Sequence, residues 1–234
     1  MNKVLKGTVK KALMVSTMLL VSHQALAAFS LNGTRFIYEE GKKNISFEVS
    51  NGAKETYGGQ VWVDNTTQNN DDVYMIPSPP FFKVKPGQKQ IVRLMNVDPA
   101  LPKDQESLFW LNVQEVPPKP ENVEGSVLAI AMNTQVKLFY RPKALIEGRQ
   151  DAERNITLST ENGKTVLKNP TPYYFAVVGM KRNGTAVKLS DNTLSKLAQL
   201  APYSDVTLDS VVQKGKVSVE AINDWGGEQW HEIK

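Results

Sequence analysis

Apolar side chains recur at every second position in one segment of this chain after another, and proline, glycine or asparagine punctuates the runs. Ile45, Phe47 and Val49 alternate with Ser46 and Glu48, and Val61 and Val63 flank Trp62. A repeat of two is the signature of a strand with one buried face; a helix would bring its apolar residues round every third or fourth position. The chain is therefore expected to be all-β. Its longest extended run is Ser126 to Pro142, SVLAIAMNTQVKLFYRP. Leu128, Ile130 and Met132 are large and share one face, while the smaller Val127, Ala129 and Ala131 share the other. From Lys137 the pattern changes to the apolar run Leu138, Phe139 and Tyr140 and the stop Arg141-Pro142. Such a strand exceeds the usual length, and one small sheet would leave part of its apolar face uncovered. Either a second sheet or another chain must cover it, a central core strand being the commoner case.

The remaining strands can be placed around this one. Ser30 to Tyr38 and Lys43 to Val49 are expected on either side of the turn at Glu40-Gly41, and Gly59 to Asp64 precedes a polar loop, Asn65 to Asp72. Pro77, Pro79 and Pro80 make Val73 to Lys85 an edge or a bent crossing, since proline cannot donate to a central ladder. Pro86-Gly87 turns the chain into Gln88 to Met95. Within Leu101 to Pro118, Leu108, Trp110 and Asn112 share one face and Phe109, Leu111 and Val113 the other, so this strand is buried on both sides. A short Pro117 to Gly125 connection then leads into the organising strand as its antiparallel neighbour. Beyond the charged connector Lys143 to Glu153 a second series follows: Asn155 to Thr160, Thr165 to Lys168, Tyr173 to Arg182, Ser204 to Leu208 and Lys216 to Ile222. Asn162-Gly163 and Asn183-Gly184 are hairpin signals, and Asn192 to Gln199 is the one helical piece. Two series of short strands predict two β-sandwiches.

The first 27 residues stand apart. Lys3, Lys6, Lys10 and Lys11 precede an apolar run, Ala12 to Val21, and Ala25-Leu26-Ala27 has the small-x-small form of a signal-peptidase site. The run is too short to span a bilayer comfortably, so export with cleavage after Ala27 is expected. The formal charge of +4 then disappears, because those four lysines are the whole excess of 28 basic over 24 acidic residues. Nucleic-acid binding loses its electrostatic support. There are no cysteines, so stability must come from packing rather than disulfides.

Catalytic constellations are missing as well. Past the leader the only histidine is His231, which reads as a solvated tail residue, and neither a Ser-His-Asp arrangement nor a zinc set can be assembled. Glu39-Glu40 and Asp71-Asp72 lie in expected turns, where carboxylates are ordinarily solvated. Gly58-Gly59 and Gly226-Gly227 fit no phosphate loop, and Trp225 and Trp230 read as core. No enzyme activity and no cofactor, metal or small-molecule substrate is expected.

Four motifs carry a resemblance: LPKDQESLFWLNVQEVPP (Leu101 to Pro118), VKLFYRP (Val136 to Pro142), NPTPYYF (Asn169 to Phe175) and INDWGG (Ile222 to Gly227). In that order they resemble the periplasmic pilus-assembly chaperones of the chaperone-usher pathway, and the short connection before the donor strand is similar to the short-loop subfamily. The resemblance implies two immunoglobulin-like β-sandwich domains in a boomerang, here residues 28–147 and 148–234 after a signal peptide of residues 1–27. It implies a periplasmic chaperone that lends its donor strand to pilin subunits and delivers them to an outer-membrane usher. The donated side chains would be Leu128, Ile130 and Met132. Arg35 and Lys137 would anchor the subunit's C-terminal carboxylate, and Glu106, Arg141 and Asp224 would form an interdomain ion network. A second copy could cap the same edge, giving a homo-oligomer. The competing readings are a structural fimbrial or envelope subunit, against which Phe29 opens a strand with no free extension before it, and a secreted carbohydrate-active enzyme.

Overall fold

The computed structural model describes residues 27–69, 71–119, 129–212 and 215–234. Residues 1–26 of the leader and Leu128 lie outside the described residues. The first sandwich contains β1 (Phe29–Leu31), β2 (Arg35–Glu39), β3 (Ile45–Asn51), β4 (Tyr57–Asn65), β5 (Met75–Ser78), β6 (Phe81–Val84), β7 (Lys89–Asn96), β8 (Ser107–Val116) and β9 (Asn133–Arg141). They form a four-stranded sheet in the order β1-β3-β7-β5 and a five-stranded sheet in the order β2-β9-β8-β4-β6. The second sandwich contains β10 (Thr157–Glu161), β11 (Lys164–Lys168), β12 (Val177–Arg182), β13 (Thr185–Ala186), the helix α1 (Asp191–Leu197), β14 (Asp205–Thr207), β15 (Val217–Ile222) and β16 (Glu228–Glu232). Its sheets run β10-β11-β14 and β13-β12-β15-β16. Both units are immunoglobulin-like sandwiches, and each has its own core.

Alternation builds those cores. Phe47 and Val49 of β3 and Val92 and Leu94 of β7 face Phe109, Leu111 and Val113 of β8 and Leu138 and Tyr140 of β9, all buried. Burying side chains of this size contributes about 1.5–3 kcal/mol each. Gly59 of β4 sits opposite Phe82 of β6, and a Cβ there would lie 2.3 Å from the phenyl ring, so only glycine admits the close approach. At the β10–β11 hairpin Asn162 and Gly163 both have positive φ, 50° and 77°, as a two-residue turn between twisted strands requires.

Several expected boundaries move. The run Ser30 to Tyr38 is two strands, because β1 pairs with β3 in one sheet while β2 pairs with β9 in the other. The chain changes sheets at residues 32–34, and across that crossing the core-facing positions pass from odd (Phe29, Leu31) to even (Phe36, Tyr38). The same happens between β5 and β6 at the prolines, as the edge or bent crossing anticipated there. The organising strand begins at Asn133 rather than Ser126, and residues 129–132 run outside it. The strand expected from Tyr173 begins at Val177, since Asn169 holds the preceding turn: its Nδ2 donates to Tyr173 O and Ala201 O, both 2.7 Å, and its Oδ1 accepts from Thr171 N at 3.0 Å. His231 is 4% exposed on β16, not a solvated tail residue, because a terminal strand pairs along its whole length with β15. Trp225 is 94% exposed on a turn and Trp230 38% exposed under the Lys181 ammonium, so neither is core. Glu39 closes β2 rather than lying in a turn.

Candidate functional site

Across the five-stranded sheet β9 has β8 on one side and β2 on the other, but the two neighbours differ in length. β8 pairs antiparallel with β9 from Asn133 to Tyr140, whereas β2 pairs with it in parallel only from Lys137 to Arg141. Among the described residues no strand covers the outer edge of β9 before Lys137. The ladder to β8 continues below β9, since Glu115 N donates to Met132 O at 2.9 Å. Ile130 and Met132 are 67% and 50% exposed, far from the burial expected of apolar residues beside a sheet. The start of β9 is tied to β8 by a buried amide: Asn112 of β8 donates to Asp64 Oδ2 at 2.9 Å and accepts from Asn133 and Gln135 at 3.0 and 2.9 Å. That network explains why a polar residue occupies an inner position of a strand buried on both faces.

The free edge ends at two cations. Arg35 opens β2 and is the register partner of Lys137 on β9. Arg35 Nη1 donates to Ile222 O at 2.9 Å, and the Lys137 ammonium donates to Ala198 O, just past α1, so both reach the second sandwich. Arg35 Nε is buried and has no acceptor. Burial, and then the charge of Arg35, pull the Lys137 pKa down to about 8. Burial also lowers the Arg35 guanidinium, with Asp224 acting against it and Arg149 adding to it. Two like charges held close in a partly desolvated cleft, one with an unused donor, make a strong place for an anion.

A second charged group lies at the end of β9. Arg141, 4% exposed, donates from Nε to Glu106 Oε1 at 2.6 Å and from Nη1 and Nη2 to Asp224 at 2.6 and 3.1 Å. Glu106 belongs to the first sandwich and Asp224 to the second, so one guanidinium ties the two together. Glu106 Oε2 also accepts from Tyr174 N at 2.8 Å, and Glu106 N donates to Pro172 O at 2.9 Å. Burial pushes the Glu106 carboxyl up against the pull of Arg141 and the Tyr174 N–H, and with both oxygens accepting it is the carboxylate that fits. At Asp224 burial is more than offset by the hydrogen bonds and charge of Arg141, which hold its pKa below the usual carboxylate range. Leu108, Phe139 and Tyr174 form an apolar cluster beside this network, Phe139 and Tyr174 with ring centroids 6.0 Å apart.

The structure thus brings Arg35 to Lys137 and joins Glu106, Arg141 and Asp224, while Ile130 and Met132 stand above the first pair. Sequence reasoning missed Arg149 and Glu153. They sit in the segment read only as a charged connector, yet Glu153 is 2% exposed and takes a bidentate bond from Arg149 at 2.8 and 3.1 Å. Arg149 Nε lies 3.6 Å from Asp224, and its guanidinium stands over the Tyr173 and Phe175 rings. Their spacing of four was the only sequence signal, and it is equally common on exposed surfaces. Among the described residues no three His, Asp or Glu are arranged to hold a metal ion.

Comparison with known proteins covers nearly the whole chain. Residues 28–146 match the pili and flagellar-assembly chaperone, PapD N-terminal domain, and residues 151–233 match the pili assembly chaperone PapD, C-terminal domain. The chain is 45% identical over 216 residues to the chaperone protein FanE of Escherichia coli, covering 92% of this chain and 94% of that one. Its fold is similar to a Salmonella enterica structure of the SafA pilin in complex with the SafB chaperone, with a TM-score of 0.75, 25% identity and coverage of 89% and 97%. It is also similar to the periplasmic chaperone SfaE, with a TM-score of 0.69, 27% identity and coverage of 88% and 98%.

Proposed function

The chain belongs to the family of pili and flagellar-assembly chaperones, and from that premise we propose that it binds pilin subunits by lending them the free edge of β9 and delivers them to an outer-membrane usher. The observation that carries this is the place where the free edge stops: at Arg35 and Lys137, with one guanidinium N–H unused. An added strand must end there with a carboxylate, because an amino terminus would be repelled by two cations. Its C-terminus then lies at the Lys137 end, so it runs parallel to β9, as β2 does on the same edge just beyond. The carboxylate fixes register, which a run of backbone hydrogen bonds alone leaves free to slip by two residues. Ile130 and Met132, with Leu128, would enter the groove of the incomplete subunit. At roughly 1.5–3 kcal/mol per buried side chain they would contribute about 5–9 kcal/mol before ordering costs.

The protein acts by binding rather than by catalysis, in the periplasm, after cleavage of its leader. The basic start, apolar run and Ala25-Leu26-Ala27 site support that address, and the similar SfaE is itself described as periplasmic. The two working units are residues 28–147 and 148–234, and Glu106, Arg141 and Asp224 hold the angle between them. Until a subunit arrives, the same edge can be capped by a second copy. Co-expression with a pilin tests the reading. Arg35→Ala and Lys137→Ala should each abolish co-purification while the chain remains folded, and normal capture by either variant would remove the anchor.

A further inference from the structure

A recess of about 440 Å³ opens beside the ion network, between residues 146–153, the turn at Asn223–Gly227 and β16. None of Arg35, Lys137, Ile130 or Met132 lines it, so it is separate from the subunit edge. Its charges are layered. The carboxylates of Glu39, Asp151 and Asp224 reach solvent, with side chains 30%, 36% and 26% exposed. The guanidiniums of Arg141 and Arg149 lie beneath, 5% and 10% exposed, and are occupied by Glu106, Asp224 and Glu153. Around the mouth Lys42 pairs with Glu39 at 2.8 Å, and Arg154 stands 3.7 Å from Asp151. An incoming group therefore meets acid first, and of the guanidinium donors below only Arg149 Nε, 3.6 Å from Asp224 Oδ1, has no acceptor.

Two further features point to what enters. His231 lines the recess, 4% exposed, and its buried Nδ1 has no hydrogen-bond partner although Asp151 Oδ1 lies only 3.8 Å away. In the neutral imidazole with its proton on Nε2, these are two acceptors side by side with no donor between them. At the rim stands Trp225, 94% exposed but not loosely held. Asn223 Oδ1 accepts from the backbone N–H groups of Trp225 and Gly227, each at 3.0 Å, and Gly226 adopts a φ of 85° that closes the turn. A Cβ on Gly226 would lie 2.5 Å from Thr34 Oγ1, so the turn is also seated tightly on the first sandwich. An exposed indole on a rigid turn is preorganised for contact.

We propose that this recess binds an arginine side chain presented by a protein partner. The planar guanidinium stacks on Trp225, pairs with the outward carboxylates and offers N–H donors toward Asp151 and His231. Arginine fits better than lysine because its fork serves two adjacent acceptors and its flat face stacks on indole.

The test uses the mature chain, residues 28–234, in which His231 is the sole histidine, so that its imidazole proton resonances report directly on the recess. Titration with N-acetyl-L-argininamide should shift those resonances along a saturating curve, N-acetyl-L-lysinamide should bind more weakly, and N-acetyl-L-glutaminamide should give no saturable shift. Trp225→Ala should weaken binding about two- to fivefold, the range of an exposed cation–π contact. Asp151→Asn should also weaken it, and asparagine tolerates the left-handed φ of 56° at that position. A response that never saturates, equal binding of the uncharged amide, saturation by acetate instead, or unchanged affinity in Trp225→Ala would overturn the proposal.

Discussion

Raising the pH should release a bound pilin strand without unfolding the protein, and the cause is Lys137. In the free chain its pKa is drawn from 10.5 to about 8 by burial and by Arg35. A carboxylate seated between the two cations favours the ammonium and raises that pKa again, so binding takes up a proton above pH 8. If the neutral amine contributes no anchor, the dissociation constant should rise about tenfold per pH unit there, or roughly thirtyfold between about pH 7 and about pH 9.5. That corresponds to about 2 kcal/mol. Stability moves the other way. A lysine whose folded pKa lies below its unfolded value binds fewer protons folded than unfolded between about 8 and 10.5, so its contribution to stability grows as pH climbs that window. Loss of affinity there is therefore not loss of fold. The assay is fluorescence anisotropy of a labelled peptide that copies a pilin C-terminal strand with a free carboxylate. Lys137→Arg should flatten the profile, since a guanidinium stays charged throughout. A dissociation constant that does not change between about pH 7 and about pH 9.5, or equal pH dependence in Lys137→Arg, would refute the reasoning.

Three other perturbations have defined outcomes. Arg141→Ala leaves Glu106, 1% exposed, without its counter-ion and should cost about 3–5 kcal/mol in urea unfolding. Small-angle scattering should then report a wider spread of angles between the sandwiches. Ile130→Glu should weaken pilin capture by roughly ten- to a hundredfold, the equivalent of one lost buried side chain, with no fall in melting temperature because Ile130 is 67% exposed in the free chain. Asn169→Ala removes the amide that holds Thr171, Tyr173 and Ala201 together and should cost about 1–3 kcal/mol in thermal or urea unfolding.

Alternation along the chain made the all-β class legible, and so did the hairpins at Asn162-Gly163 and Asn183-Gly184, because both depend on a residue and its immediate neighbours. The candidate site was legible only in part. Ile130 and Met132 could be picked out by size on one face, while Arg35, Lys137, Glu106, Arg141 and Asp224 came from motifs and not from any local rule. Partnership between strands is a different matter. Phe29–Leu31 and Arg35–Glu39 read as one run, yet tertiary packing sends them to opposite sheets, with the core face passing from odd to even positions between them. Burial of His231 and of the Arg149–Glu153 pair depends on surfaces from distant segments closing over them, as does the exposure of Trp225. The sequence by itself determined which residues could form strands and turns; the tertiary structure alone decided which edge of β9 went unpaired and which charges were drawn out of water. Hydrogen-bond partners and desolvation are properties of neighbours that the chain brings together only when it folds.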